Sequence, residues 1–307
     1  MEPEQGVEEG KSERALSSLI RVLLFALASA GALLAMAWAV AERAIHPWRR
    51  EEDYNLLDFE LPVEEVRFSS RDGLRLAGWF IPGDSPACVI LAHGHGRSRG
   101  ELLPHADFLH RAGFSVFLFD FRNRGESEGK AVTMGVHEPL DLLGALDHLR
   151  GRSEVDATRI GVLGVSLGAT AALVAAAEAP DLRAVVAESS FARLEDLTRH
   201  GLRHFFHLPP FPLAPLACWM IERQLHVDLA TVAPLETVGR LSPRPLLLID
   251  DELDEVLGPG QGQALFDVAG EPRELWVVPH AAHARGWQAA PQEYERRVVS
   301  FLRQHLG

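Results

Sequence analysis

The stretch RIGVLGVSLGATAALVAAAEA at residues 159–179 joins a predicted strand to a predicted helix through one sharp turn. Residues 159–164 have the apolar character of a buried strand, and residues 167–179 predict an alanine-rich helix. The turn, Gly164-Val165-Ser166-Leu167-Gly168, fits G-x-S-x-G in the strand–turn–helix setting where that pattern presents a nucleophilic serine. The backbone N–H of Leu167 then lies at a helix N-terminus, where it can face a developing oxyanion.

Strand and helix signals alternate on both sides of this stretch. The runs CVILAH at 88–93 and SVFLFD at 115–120 are typical of strands buried on both faces of a sheet. Further strands are predicted at 63–69, 74–81, 184–187, 245–250 and 274–278, and further helices at 101–112 and 137–149. This order predicts an α/β fold over residues 54–307, with a mostly parallel central sheet and helices on both faces.

One interval interrupts the alternation. Residues 190–242 carry no strand signal and include the apolar, proline-rich run HFFHLPPFPLAPLACWMI. This length is too great for a plain connection in a compact domain, so the interval predicts a helical insertion before the next strand. Two interpretations stay open, a subdomain that shields the core and a lid over an acyl pocket.

Residues 22–41, VLLFALASAGALLAMAWAVA, contain no charged side chain. A helix of this length covers about 30 Å, the thickness of the hydrocarbon layer of a bilayer. We interpret the run as a transmembrane anchor that follows a polar tail at 1–21, whose first 14 residues we expect to be disordered. A cleaved signal peptide and a buried core helix are the alternatives.

The charges that flank this span do not orient it. Three basic residues precede it, and Arg43, Arg49 and Arg50 follow it together with the interfacial aromatic Trp48. Because a short N-terminal tail before a single span often behaves as a signal anchor, we expect the main domain on the extracytoplasmic side.

The composition narrows the class of protein. The 307 residues are 47% hydrophobic and 24% charged, with a formal net charge of −13. These values fit a globular domain and exclude collagen-like and disordered chains. The acidic balance argues against a nucleic-acid partner, and two cysteines, Cys88 and Cys218, are too few for a disulfide framework.

A serine nucleophile needs a base, and the base needs an acid that orients it. Two later strands end in suitable residues. The strand at 245–250 runs into the acidic sequence DDELDE at 250–255, and the strand at 274–278 is followed by His280 and His283. An open α/β sheet has its site at the carboxyl ends of its strands, so these segments are expected to meet Ser166 there.

These motifs together resemble the α/β-hydrolase family, in particular its serine-peptidase- and esterase-like members with a helical insertion before the acid-bearing strand. The resemblance lies in LAHGHG at 91–96, DFRNRGESEG at 120–129, PLLLIDDELDEV at 245–256 and VPHAAHA at 278–284. It implies that Ser166 is the nucleophile, Asp254 the acid and His283 the base. It also implies that the N–H of His95 is the second oxyanion donor beside that of Leu167.

The sequence departs from the family pattern at two points. Asp250-Asp251 replaces the usual His-Gly after the acid strand, and His280 replaces a glycine three residues before the expected base. Asp251 therefore stays open as an alternative acid, and His280 as an alternative base.

Several charged and titratable side chains lie near the same predicted edge of the sheet. Arg97 and Arg99 are either structural cations or the receptors of an anionic substrate group. Asp120 is expected to stabilise its own turn through Arg122. The histidines in this region lack the supporting carboxylates or cysteines of a zinc site, so we predict no metal. They are His93, His95, His105 and His110.

These observations predict a single-pass membrane protein with a serine hydrolase domain that needs no cofactor. The expected substrate is a small-molecule or lipid-like ester, thioester or amide. Two other functions stay open: an acyltransferase on the same fold, and a catalytically silent, membrane-tethered interaction module. The oligomeric state is left open.

Overall fold

The computed structural model describes residues 3–48, 54–205 and 207–307, and for residues 3–15 it describes the backbone alone. Met1, where the predicted polar tail begins, and the flanking charges Arg49 and Arg50 lie outside the described residues. All four motifs that carry the family resemblance lie inside them.

Eight strands form one sheet in the order β1-β2-β4-β3-β5-β6-β7-β8. Strand β2 is antiparallel to β1 and β4, and all other neighbours are parallel. The predicted fold class is confirmed, and the strand bounds differ from the predicted ones by only a few residues. The strands are β1 Glu64–Ser69, β2 Arg75–Ile81, β3 Cys88–Ala92, β4 Ser115–Phe119, β5 Ile160–Val165, β6 Leu182–Glu188, β7 Leu246–Asp251 and β8 Arg273–Val278.

Ten α-helices are described, and helices cover both faces of the sheet. Side chains of β3 alternate between two cores, with Ile90 in the core that contains α3 and α4 and Leu91 in the core that contains α2 and α10. Every residue of β3 is buried, as expected for a central parallel strand. The helices are α1 Pro3–Ile45, α2 Leu103–Arg111, α3 Glu138–Arg150, α4 Leu167–Glu178, α5 Leu194–His204, α6 Pro210–Leu225, α7 Pro234–Thr237, α8 Gln261–Val268, α9 Gly286–Ala289 and α10 Pro291–Leu306.

The interval before β7 is helical, as the length of 190–242 predicts. It contains α5, α6 and α7, and the second residue of α6, Phe211, has an extended backbone conformation. One side of α6 is buried through Leu213, Ala214, Ala217 and Ile221, so the insertion is packed onto the rest of the protein.

The N-terminal helix α1 is longer than the predicted span. It begins at Pro3, so the polar segment that was expected to be disordered is helical from that residue onward. The most apolar 18-residue window within the segment Leu16–Ile45 has a mean hydropathy of 2.2, and the segment is long and apolar enough to cross a membrane by length and composition.

The last turns of α1 pack against the insertion. Ala37 and Ala41 have no exposed surface and Ile45 is 1% exposed, while the side chains between Leu16 and Leu27 are exposed. The N–H of Val132 donates to the carbonyl of Ile45, which ties the helix end to the loop before α3. The apolar helix and the domain therefore meet in a packed contact.

Candidate active site

Ser166 lies between β5 and α4 with a φ of +55°, a conformation that non-glycine residues rarely adopt. The close approach of the surrounding backbone requires glycine on both sides. A Cβ on Gly164 would lie 2.3 Å from the carbonyl oxygen of Gly168, and a Cβ on Gly168 would lie 2.0 Å from that of Ala92. The G-x-S-x-G pattern thus forms the strained turn that projects the serine side chain above the sheet.

Three side chains from separate loops form one hydrogen-bonded chain. Ser166 Oγ lies 2.9 Å from His283 Nε2, and His283 Nδ1 lies 2.6 Å from Asp254 Oδ2. The other carboxylate oxygen of Asp254 accepts the N–H groups of Val256 and Leu257, each at 2.9 Å. With Asp254 fixed in this way, the imidazole is oriented to accept the serine proton at Nε2.

The two alternatives kept open by the sequence lie elsewhere. The imidazole of His280 is 87% exposed and faces Glu252, with 3.6 Å between Nδ1 and the carboxylate. The buried carboxylate of Asp251 accepts the hydroxyl of Ser189 at 2.7 Å instead of contacting His283. Asp254 and His283 are therefore the acid and the histidine that the fold brings to Ser166.

Asp251 has a structural contact that sequence reasoning missed. Its Oδ2 accepts the N–H of Arg285 at 3.3 Å, and Ser189 Oγ accepts the N–H of Ala284 at 3.4 Å. These amides directly follow His283 in the chain. Ser189 and Asp251 thus hold the backbone of the loop that carries His283, which we call the histidine loop.

Glu188, the last residue of β6, completes this support. Its Oε1 accepts the N–H of Gly286 at 3.0 Å, and its Oε2 accepts the hydroxyl of Tyr294 at 2.5 Å. Complete burial and the nearby carboxylate of Asp251 raise the pKa of Glu188 to about 8. The only available sequence signal was a glutamate at the end of the otherwise apolar strand AVVAE.

The loop after β3 lies against Ser166. A Cβ on Gly94 would lie 3.5 Å from the Cβ of Ser166, and the Gly94 N–H donates to Glu101 Oε2 at 2.7 Å. In the described parts of the chain, the N–H groups of His95 and Leu167 donate to no protein acceptor. Both amides belong to segments next to the serine and retain a free donor for an oxyanion.

The same loop contacts the end of α1. The imidazole Nε2–H of His95 donates to the carbonyl of Ala44 at 2.8 Å, and burial lowers the pKa of this histidine, which favours its neutral form. Arg124 bridges the two segments, since its guanidinium donates to the carbonyls of Pro47 and Gly96 at 3.1 and 3.4 Å. The end of the apolar helix therefore helps to shape the predicted oxyanion loop.

The remaining histidines have structural surroundings. His93 Nε2 accepts the N–H of Phe121 at 3.1 Å, and burial lowers the pKa of His93 to about 4. His105 is buried among Phe108, Trp287 and Tyr294. Within the described residues, no group of three or more His, Cys, Asp or Glu side chains is arranged to hold a metal ion.

The two candidate substrate arginines are paired with carboxylates. Arg99 is 6% exposed, forms an ion pair with Asp120 and lies over the ring of Trp79. Arg97 Nε lies 3.3 Å from Glu101. These contacts favour structural roles over recognition of an anionic substrate.

The expected pairing of Asp120 with Arg122 is wrong. Asp120 pairs with Arg99 instead, and Arg122 forms ion pairs with Asp141 and Asp72. Both acids can approach Arg122 because the loop after β4 folds back over the start of α3 and the β1–β2 hairpin. The distance between residues along the chain does not disclose this folding.

Strand order, serine turn and hydrogen-bonded side chains together define an α/β-hydrolase. Residues 42–213 match the family described as X-Pro dipeptidyl-peptidase (S15 family), a segment that includes Ser166 and ends before Asp254 and His283. The chain belongs to this family of α/β-hydrolases, and it is a hydrolase.

Individual relatives support the same assignment. The uncharacterized protein Rv2307c of Mycobacterium tuberculosis is 30% identical over 222 residues, which cover 71% of this chain and 72% of the relative. The uncharacterized protein YfhR of Escherichia coli is 27% identical over 249 residues, with coverage of 78% and 80%. The solved structure of the esterase Pf2001 of Pyrococcus furiosus has a TM-score of 0.71 and 28% identity, and the match covers 86% of this chain and 99% of the esterase.

Proposed function

We propose that the chain is a membrane-anchored serine hydrolase that cleaves an ester, thioester or amide through an acyl-enzyme on Ser166. The observation that carries this proposal is the chain of contacts from Ser166 to His283 and Asp254, at 2.9 and 2.6 Å. Distances of this kind between nucleophile, base and orienting acid are those that a covalent acyl-transfer mechanism needs.

In the proposed reaction, Ser166 Oγ attacks the substrate carbonyl and transfers its proton to His283 Nε2. Asp254 stabilises the imidazolium that forms. The N–H groups of Leu167 and His95 bind the oxyanion of the tetrahedral intermediate. The imidazolium then protonates the leaving group, and a water molecule activated by His283 releases the acyl group. Each step uses only side chains and amides of this protein, so the proposal includes no metal or organic cofactor.

The substrate in this proposal is a small-molecule or lipid-like acyl compound. The family description names a peptidase and the similar Pyrococcus structure is named an esterase, so both bond types belong in the first substrate panel. The apolar clusters around the helical insertion and α1 favour an apolar acyl group over a charged one.

The membrane anchor in this proposal is α1. Its segment Leu16–Ile45 has the required length and hydropathy, and large apolar side chains such as Phe25 (76% exposed) face outward. We propose that the catalytic domain lies on the extracytoplasmic side. Attack by an added protease on intact cells tests this placement, and complete protection until the cells are opened would reverse it.

A fluorophosphonate probe tests the chemistry directly, because it reacts with an activated serine without requiring the natural substrate. The detergent-solubilised full chain is expected to be labelled, and Ser166→Ala and His283→Ala are expected to lose labelling. Ser153→Ala is the matched control, since Ser153 is an exposed serine remote from the site. Equal labelling of Ser166→Ala and the wild type, or no labelling of the folded wild type, would refute the proposal.

A further inference from the structure

Helix α6 of the insertion packs along the last part of α1. Ala37 shares a buried cluster with Leu213 and Ala214, from the beginning of α6. Ala41 shares the next cluster with Ile221, from its later part. The two helices therefore run in the same direction along their contact, and the small side chains let their backbones approach closely.

This packing fixes the depth of α6 relative to the apolar span. Ala37 lies four residues before the end of the uncharged run 22–41, which is about 6 Å along the helix axis. Leu33 packs on the same cluster as Ala37 and lies about 12 Å from that end. The first turns of α6 are consequently level with a part of α1 that lies inside the hydrocarbon layer when α1 spans the membrane.

The outward side of α6 suits such an environment. Phe211 at its start is 79% exposed, and Trp219 is 50% exposed. Pro215 lies on the same exposed side of the helix. The first charged residue of this side is Arg223, whose guanidinium lies 5.6 Å from the ring of Trp219. The surface thus changes from apolar to polar in the direction in which α1 leaves the bilayer, with a tryptophan at the transition.

The cationic side chain of Arg203 accompanies this apolar surface. Arg203 and His204 are exposed on the last turn of α5, and Phe205 beside them is 49% exposed. Long basic side chains reach a bilayer surface while their apolar neighbours stay below it. The combination of exposed aromatics and cations fits a membrane that contains anionic lipid.

The buried side of the same region leads towards the catalytic loops. The cluster that holds Ala41 and Ile221 also contains Phe191 and Leu257. Leu257 donates its N–H to Asp254, and Phe191 follows Ser189 and Ser190 directly after β6. An apolar layer therefore connects the contact between α1 and α6 with the residues behind the catalytic side chains.

We propose that α6 lies in the same bilayer leaflet as the end of α1, and that the substrate is a membrane lipid whose acyl chain reaches Ser166 from the hydrocarbon layer along α6. This inference rests on the proposed function, in which α1 spans the membrane and Ser166 is the nucleophile. It adds the site of contact with the bilayer and the physical state of the substrate.

Spin labels on the full chain test the depth. The background is Cys218→Ser, with the buried Cys88 retained, in vesicles of equal parts phosphatidylcholine and phosphatidylglycerol. Nitroxides are placed at Phe211→Cys, at Phe25→Cys on α1, and at Val268→Cys on α8, which is 49% exposed and remote from α6. Power-saturation EPR with oxygen and a water-soluble nickel chelate is expected to show positions 211 and 25 in lipid and position 268 in water.

The outcomes separate the two proposals. Position 25 in lipid with position 211 in water overturns the inference about α6 and leaves the anchor intact. Position 25 in water overturns the anchor of the proposed function itself. Repeating the measurement without phosphatidylglycerol tests the role of the cations, since the depth at position 211 is then expected to decrease.

A second experiment tests the route of the substrate. Two fluorophosphonates are compared on the full chain in these vesicles, one with a long alkyl chain that resides in the bilayer and one short and water-soluble. Phe211→Glu is expected to lower the ratio of the long-chain to the short-chain labelling rate about tenfold or more, because the charge opposes insertion. Val268→Glu is the control and should leave the ratio unchanged. An unchanged ratio in Phe211→Glu overturns the proposed route, whereas absence of all labelling in the wild type refutes the serine mechanism.

Discussion

Glu188 makes the stability of the fold depend on pH, and Glu188→Gln should remove its contribution to that dependence. Burial and the neighbouring carboxylate of Asp251 raise the pKa of Glu188 from an ordinary value of 4.5 to about 8. Between these values the unfolded chain has released the proton and the folded chain still holds it. The associated stability is therefore complete below pH 4.5 and decreases as the pH rises towards 8.

The magnitude follows from the size of the shift. Each pKa unit corresponds to about 1.4 kcal/mol, so the full shift corresponds to about 5 kcal/mol in the free energy of unfolding, of which about 3–4 kcal/mol is lost between pH 5 and pH 8. Glutamine has nearly the same shape and no titrating proton. Its amide can still accept the N–H of Gly286 and pair with the hydroxyl of Tyr294, so the variant should keep the support of the histidine loop.

Urea unfolding of the detergent-solubilised full chain, followed by tryptophan fluorescence from pH 5 to pH 8, measures this difference. The wild type should lose stability relative to Glu188→Gln as the pH rises. Glu178→Gln is the control, because Glu178 is an exposed glutamate at the end of α4. If the gap between the wild type and Glu188→Gln stays constant over this range, Glu188 is not protonated in the fold and the reasoning is refuted.

Three further predictions concern the site and its supports. Asp254→Asn should lower kcat about 10⁴-fold in an ester assay, whereas Asp251→Asn should cost far less activity; comparable losses would contradict the choice of acid. Gly286→Ala should destabilise the fold by about 1–3 kcal/mol, because its Cβ would lie 2.9 and 3.0 Å from two carboxylate oxygens. Its unfolding midpoint is compared with that of Gly201→Ala, where a Cβ meets no neighbour within 4 Å. A chain without residues 1–48 should be less active per labelled serine than the full chain, because the oxyanion loop loses its contacts with α1; equal kcat values would refute that link.

Local sequence was sufficient for the serine turn. Gly164, Ser166, Gly168 and the start of α4 are neighbours in the chain, so their pattern specifies the strained junction at Ser166 directly. The order of strands then predicts that the segments with Asp254 and His283 end at the same edge. The prediction of these parts depends on the periodicity of the apolar residues and on the rule that the carboxyl ends of parallel strands form the site.

The contacts between distant segments could not be predicted in this way. Asp251 and Asp254 belong to one acidic segment, and the sequence alone does not distinguish their roles. Only the folded loop gives Asp254 two backbone donors and places Asp251 against the histidine loop. Likewise, the partner of Asp120 depends on which arginine the turn after β3 brings inward. Side-chain pairing of this kind is decided by three-dimensional packing, which residue spacing alone does not determine.

The packed junction between α1 and the oxyanion loop has a mechanical consequence. His95 is hydrogen-bonded to Ala44, and Arg124 to Pro47, so the end of the helix is held directly against the loop beside Ser166. With α1 in a membrane, the serine would keep a constant height and tilt over the lipid surface. Such an enzyme searches by lateral diffusion in two dimensions, and its rate follows the surface density of the substrate rather than its bulk concentration.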